Sequence, residues 1–210
     1  MTYAVKELFP TLQGEGARAG RAAVFCRFAG CNLWSGREQD RAAAVCKFCD
    51  TDFIGHDGPG GARFPDAPSL AQAIEATWSG GSTSRYVVFT GGEPLLQLDA
   101  SLIEATHARG FEIAVETNGT LDAPSGLDWI TVSPKAGAPW RLRKGSELKL
   151  IYPQPGLEPD SLPDLEFAHR WLQPMDGPAR IPNTAAAVAY CLKHPDWRLS
   201  LQTHKLIGIP

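Results

Sequence analysis

The chain lacks a charge excess. Its 20 lysines and arginines stand against 23 aspartates and glutamates, a net −3 at pH 7. That excludes the basic footprint of a nucleic-acid binder and offers nothing to an anionic membrane surface. It also lacks any apolar run long enough to span a bilayer, and residues 1–10 have no signal-peptide layout. A cytoplasmic protein with no membrane and no nucleic-acid partner is therefore expected. Repeats and low-complexity tracts are missing as well. Cysteine is scarce and odd in number, five in all, which argues against a disulfide framework and for thiols kept reduced. What remains is an ordinary globular composition, 43% hydrophobic and 20% charged over 210 residues. One domain, residues 1–210, is expected.

Three of the five cysteines are gathered, and they lack a fourth. Cys31 follows the apolar run Val24-Phe25-Cys26-Arg27-Phe28, and Cys46 and Cys49 follow after fourteen intervening residues. A closed structural zinc site takes four ligands. Three thiolates leave a coordination position open, where a small molecule can bind. Three irons of a 4Fe–4S cluster suit the three thiolates. The amino and carboxylate groups of S-adenosylmethionine suit the fourth iron.

Six short β-rich runs are expected as strands, beginning near residues 23, 86, 111, 129, 147 and 167. Helices are expected over 69–79 with Ser69 as N-cap and Gly80-Gly81 as stop, over 99–109 capped by Asp99, over 183–193 capped by Asn183, and as a short piece over 38–45. The alternation points to an α/β fold with a parallel sheet. A complete eight-fold barrel takes roughly 250 residues. The expected fold is therefore an incomplete TIM-like barrel of about six parallel strands with short crossovers. The polar motifs share one position. Cys31, Thr90-Gly91-Gly92-Glu93, Glu116-Thr117-Asn118, Ser133-Pro134-Lys135 and Gln173 all fall at or just past a strand's C-terminal end, the active-site face of such folds.

Several residues carry two readings. Arg27 interrupts an apolar run and needs a partner, either a structural ion pair or a ligand carboxylate. Gln13 and Glu15, in a Gly-rich loop, read as a solvated turn. Gly91 and Gly92 let backbone approach a ligand closely, with Glu93 offering a carboxylate beside them. Phe48 is placed to pack a flat ring such as adenine. Asp50-Thr51-Asp52 fits helix capping or a harder cation such as Mg²⁺. Cys26 and Cys191 read as core thiols.

At these residues the sequence resembles the radical S-adenosylmethionine enzymes, and within them the 7-carboxy-7-deazaguanine synthase family of queuosine biosynthesis. The resemblance rests on Leu12-Gln13-Gly14-Glu15-Gly16, Cys46-Lys47-Phe48-Cys49-Asp50-Thr51, Phe89-Thr90-Gly91-Gly92-Glu93-Pro94, Glu116-Thr117-Asn118-Gly119 and Ser133-Pro134-Lys135. The first cysteine spacing departs from the superfamily's short one, and an enlarged cluster loop, residues 31–49, is known within this family. The resemblance implies a carbon–nitrogen lyase with Cys31, Cys46 and Cys49 on a 4Fe–4S cluster. Reductive cleavage of S-adenosylmethionine would give a 5′-deoxyadenosyl radical that takes hydrogen from C6 of 6-carboxy-5,6,7,8-tetrahydropterin. Ring contraction and loss of ammonia would give 7-carboxy-7-deazaguanine. By the same resemblance Phe48, Asp50, Gly91, Gly92, Glu93, Glu116, Asn118, Ser133, Lys135 and Gln173 would hold S-adenosylmethionine. Thr51 would hold Mg²⁺. Leu12, Gln13, Gly14, Glu15, Arg27, Thr90, His204 and Pro210 would face the pterin. A homodimer and an external electron donor such as a flavodoxin are implied too. Two alternatives stay open from the residues: a radical activase of another protein, and a zinc-binding interaction module using the three cysteines with His56.

Overall fold

The structure, a computed structural model, describes residues 1–163 and 165–210. Its backbone is one nine-stranded sheet in the order β3-β1-β2-β4-β5-β6-β7-β8-β9. The strands are β1 Tyr3–Leu12, β2 Ala22–Phe28, β3 Ala62–Phe64, β4 Tyr86–Gly91, β5 Glu112–Thr117, β6 Trp129–Val132, β7 Lys144–Tyr152, β8 Glu166–Pro174 and β9 Arg198–Leu199. From β2 to β9 neighbouring strands are parallel; β1 pairs antiparallel with both β2 and β3. The sheet is open, with β3 and β9 at its edges. The six expected strands are β2 and β4–β8. The additions are a two-residue parallel strand and an antiparallel pair on the first edge. β1 escapes the sequence pattern because Lys6 and Glu7 break its apolar run and a bulge between Val5 and Glu7 shifts its register.

Four α-helices are present among the described residues: α1 Ala67–Thr77, α2 Ala100–His107, α3 Arg180–Lys193 and α4 Thr203–Ile207. α1 starts before Ser69. Its N-cap is Asp66, whose carboxylate accepts from Ser69 N at 2.9 Å, a contact worth about 1 kcal/mol. Pro68 sits in the first turn, where its missing N–H costs nothing. The helix ends at Thr77, ahead of Gly80-Gly81. Asp99 caps α2 as expected, accepting from Leu102 N, and its Oδ1 also takes the Tyr3 hydroxyl at 2.7 Å. α3 begins at Arg180, and the Asn183 amide donates to the Met175 carbonyl instead of capping. Residues 38–43 form only a 3₁₀ turn. No helix of the structure is long and apolar enough to cross a membrane.

Strand alternation divides the sheet's two faces. On the helix-covered side, Val24, Cys26, Phe28, Val87, Phe89, Ile113 and Val115 pack with Leu70 and Ile74 of α1 and Leu102 of α2. Each such side chain contributes about 1.5–3 kcal/mol. Leu148, Leu150 and Leu172 pack with Ala187 of α3 and with Trp197. The concave side is graded along the strands. Near the strand starts it holds Ala23, Tyr86, Val88 and Ala114, with Phe25 and Trp129 against them. Two residues further on, the same alternation brings Arg27, Thr90 and Glu116 to that face, with Lys149 of β7 beside them. The sheet therefore has an apolar floor and a polar mouth at its C-terminal end.

Candidate active site

A cavity of about 470 Å³ opens at that mouth. It draws residues from the ends of β2, β4, β5, β7 and β8, from the cysteine loop, from the loop after β1 and from α4. Cys31, Cys46 and Cys49 all line it. So do Phe48, Asp50, Thr51, Thr90, Gly91, Gly92, Glu116, Asn118, Ser133, Lys135, Gln173, Glu15, Arg27 and His204.

The thiols are held unequally. A hydrogen bond from Cys46 lowers Cys49 to about 6, and the same bond, with burial, pushes Cys46 up. Burial raises Cys31, whose sulfur accepts from Leu33 N at 3.4 Å. Among the described residues no three His, Cys, Asp or Glu side chains are arranged around a single metal ion. His56, which a zinc module would recruit, is exposed and outside the cavity walls. Cys26 is fully buried in the core, and Cys191 is half-buried on α3.

The glycines after β4 line the cavity and also pack against the cysteine loop, while the glutamate beside them is turned inward. A Cβ on Gly92 would stand 2.3 Å from the Gly30 carbonyl oxygen and 2.5 Å from Cys31 Cβ; one on Gly91 would stand 2.4 Å from the Phe28 carbonyl oxygen. Glycine is needed there so that the cysteine loop can lie on the β4 end. Glu93 is fully buried and does not line the cavity. Its Oε1 accepts from Leu95 N at 2.9 Å and Thr117 Oγ1 at 2.7 Å, and its Oε2 from Asn118 N at 2.8 Å. Glu93 thus ties the β4 loop to the β5 loop and positions Asn118, whose amide donates to Asn32 Oδ1.

Two lysines account for the carboxylates beside Thr51. Lys205 Nζ bridges Asp50 at 2.5 Å and Asp176 at 2.7 Å. Lys6 Nζ binds Asp52 at 2.8 Å, Asp57 at 2.7 Å and the Ile54 carbonyl at 2.9 Å. Thr51 stands between two neutralised aspartates as a hydroxyl on the cavity wall. Asp50, expected among the cofactor contacts, is thus engaged by a protein cation.

Across the cavity, Arg27 Nε donates to Glu7 Oε1 at 2.6 Å. The ion-pair reading of Arg27 is met, and the residue also lines the cavity. Lys149, 6% exposed in its side chain, bridges Glu15 and Glu116. Burial pulls Lys149 down, but the two carboxylates outweigh it and hold its pKa above the usual range. Burial alone would raise Glu15, yet Lys149 holds it low; Glu116 is pushed up by burial despite the same ammonium. Lys135, half-buried, is lowered by desolvation and donates to Ser133 Oγ at 2.8 Å.

Of the expected pterin-facing set, Leu12, Gln13, Gly14 and Pro210 do not line the cavity. Gln13 is buried and supports it, donating to Glu116 Oε1 at 3.1 Å and accepting from Glu15 N at 3.1 Å. A Cβ on Gly14 would meet His204 Nδ1 at 2.1 Å, and the Gly14 carbonyl accepts both Thr203 N and Oγ1. Thr11 Oγ1 donates to the Pro210 carbonyl at 2.7 Å. Gln173 lines the cavity and accepts from Ser200 Oγ. Lys6, Glu7, Lys149, Gln202 and Lys205 belong to the site without having been expected there.

A model of the radical SAM superfamily matches residues 40–147, beginning between Cys31 and the cysteine pair. The chain is 66% identical over 210 residues to a 7-carboxy-7-deazaguanine synthase of Bordetella pertussis, and 65% identical to one of Caulobacter vibrioides, with 100% of each chain covered. The chain belongs to the 7-carboxy-7-deazaguanine synthase family. It is also similar to the crystal structure of QueE from Escherichia coli, with a TM-score of 0.67 and 26% identity over 96% of this chain and 94% of that one. Membership in the radical SAM superfamily brings a 4Fe–4S cluster and S-adenosylmethionine. This synthase-family cavity fits them: the three thiols, soft donors suited to iron, share it with the ends of the parallel strands.

Proposed function

We propose that this chain converts 6-carboxy-5,6,7,8-tetrahydropterin to 7-carboxy-7-deazaguanine, with loss of ammonia. The observation that carries this reading is the convergence of Cys31, Cys46 and Cys49 with Arg27, Glu15 and Lys135 on one cavity at the strand ends. We assign the cluster to the three cysteines, and residues 1–210 to one radical SAM domain with an enlarged cluster loop over 31–49. The cluster and S-adenosylmethionine, when bound, supply one-electron, hydrogen-abstracting radical chemistry. The chain's own residues bind, orient and shield. Phe48 packs the adenine ring. Asn118, Ser133, Lys135 and Gln173 offer polar contacts to the rest of the cofactor. Arg27, with Nε committed to Glu7, keeps its terminal nitrogens for the pterin carboxylate. Glu15 and His204 approach the opposite end of the ring. Anaerobic incubation with S-adenosylmethionine, Mg²⁺, reductant and the pterin tests this: 7-carboxy-7-deazaguanine is expected by mass spectrometry. Its absence, with the cluster loaded, would overturn the assignment and favour an activase.

Thr51 is the Mg²⁺ ligand in this reading. Thr51 lines the same cavity as Arg27, and both neighbouring aspartates are paired with lysines, which supports the hydroxyl as the hard donor left there. Thr51→Ala is expected to raise the Mg²⁺ concentration for half-maximal turnover about tenfold, the loss of roughly one hard-ligand contact. An unchanged Mg²⁺ titration would remove Thr51 from the metal.

Gly92→Ala tests the seat of Cys31. The added Cβ has no room against Gly30 and Cys31, so the loop must move. Iron and sulfide per chain are expected to fall well below wild type while the fold persists by circular dichroism. Full iron content would show that the loop can shift without losing its ligand.

We read the protein as cytoplasmic, supplied with electrons by an external donor such as a flavodoxin, and dimeric. The exposed Ile181, Leu192, Leu206 and Ile207 on α3 and α4 support a self-associating face.

A further inference from the structure

Three strand-borne elements meet at the Lys149 ammonium. Lys149 comes from the concave face of β7, Glu116 from the end of β5, and Glu15 from the loop after β1. All three line the cavity, and their side chains are 6%, 16% and 14% exposed. Each carboxylate spends one oxygen on Lys149. The other oxygen takes an amide: Gln202 Nε2 at 3.1 Å on Glu15 Oε1, and Gln13 Nε2 at 3.1 Å on Glu116 Oε1. A carboxylate oxygen has two lone pairs, so each glutamate still has acceptor capacity for a ligand.

We propose that Lys149 is a positioning residue that favours the ionised forms of Glu15 and Glu116, so that together they form a two-carboxylate acceptor edge for the N–H groups of a flat amino-heterocycle. This rests on the function proposed above, whose pterin carries such an edge in its 2-amino-pyrimidinone ring. Two buried carboxylates sharing one site cannot both ionise unaided; one takes up a proton and becomes a donor. A protonated glutamate facing a ring N–H would set donor against donor. The ammonium between them works against that conflict, holding Glu15 low and opposing the burial that pushes Glu116 up. The other charged groups near the triad do not replace it. Glu147 is occupied by Ala17 N at 2.9 Å, Thr131 Oγ1 at 2.8 Å and Trp171 Nε1 at 2.9 Å. Lys135 is turned to Ser133, and His204, its pKa lowered by burial, lies against Gly14. Lys149 is not itself a base, since its pKa is held up by its two partners.

The test is Lys149→Met, which keeps length and removes charge, assayed as iron-loaded enzyme from acid to alkaline pH. At neutral pH the KM for the pterin is expected to rise about tenfold or more, with kcat/KM falling accordingly and the KM for S-adenosylmethionine unchanged. The acid limb of kcat/KM, where a required carboxylate protonates, is expected to move upward by about one pH unit or more. In Lys149→Met/Glu116→Gln the repulsion between the two carboxylates is gone but Glu15 stays buried without its cation, so the limb is expected to lie between those of Lys149→Met and Glu116→Gln. An equal loss at every pH, or an unmoved limb with an unchanged pterin KM, would overturn the proposal. Where Lys149→Met does not load iron, the double variant decides, because an acid limb not displaced upward from that of Glu116→Gln would show that Glu15 does not depend on the ammonium and would overturn the proposal. Wild-type enzyme that makes no deazapurine refutes the functional reading instead, which keeps the two failures apart.

Discussion

Replacing Cys31, Cys46 or Cys49 by alanine is expected to abolish both the cluster and product formation. The three thiols are the soft donors of the cavity wall, and among the described residues no other cysteine lines it. Cys26 belongs to the packed core between the sheet and α1, and Cys191 to α3 on the far flank. A cluster held by three ligands has no spare one, so losing any thiolate leaves an iron without protein attachment. The controls carry as much weight as the losses. Cys191→Ala should be nearly silent, and Cys26→Ala should cost about 1 kcal/mol of core packing while iron and sulfide content stay at wild-type level. Anaerobic iron and sulfide analysis with the visible absorption spectrum reads all five. A clustered-cysteine variant with full iron, or a Cys26 variant without any, would overturn the ligand assignment.

Arg27→Met is expected to lower kcat/KM for the pterin by about thirtyfold or more, since truncating one side of a buried charge pair costs roughly 2–5 kcal/mol and this half-buried pair falls at the low end. Two contributions add. The ligand carboxylate loses its planar donor pair, and Glu7 is left as an uncompensated carboxylate beside the cavity. Arg27→Lys should not rescue it, because a single ammonium cannot serve Glu7 through one edge and a ligand through another. Cluster content and S-adenosylmethionine binding should be unaffected, since Arg27 touches neither thiols nor the Ser133–Lys135 wall. Steady-state kinetics with varied pterin decides it. A kcat/KM within about threefold of wild type, under 1 kcal/mol, would reduce Arg27 to a structural partner of Glu7.

The parallel strands were legible because each is a short apolar run ending in a polar cluster, and burial on both faces produces that pattern. β1 was not, because its residues serve different neighbours: Lys6 holds the loop after the cysteines and Glu7 holds Arg27. α4 is five residues long, too short for a periodic signal. Ser69 was the wrong cap for a readable reason, since Pro68 belongs inside the first turn and places the start at Asp66. Glu93 shows the limit of motif reading. Its place beside two glycines is visible in the sequence, but whether its carboxylate faces a ligand or closes a buried network depends on Thr117 and Asn118, distant in the chain. Lys149 shows the opposite. A charged residue in an apolar strand marked Arg27, and the same mark stands in Glu147-Leu148-Lys149-Leu150. The composition of the cavity was largely legible; its wiring through Lys149, Lys205 and Lys6 was not, because lysine contacts are made across the fold.

That wiring ties the site to the chain's far segment. Lys205 bridges the cluster-loop Asp50 and the β8-loop Asp176, Gln202 supports Glu15, and Thr203 clasps Gly14. Gln202, His204 and Lys205 therefore form part of the cavity's wall.

On the reading proposed above, three cysteines hold a cluster whose remaining iron faces the cavity. A crystal structure of anaerobically reconstituted protein with S-adenosylmethionine and the pterin, with anomalous data at the iron edge, tests it most directly. Iron density is expected against the sulfurs of Cys31, Cys46 and Cys49, with the fourth iron bound by S-adenosylmethionine and the pterin carboxylate beside Arg27. A single metal ion closed by a fourth protein ligand would contradict the account.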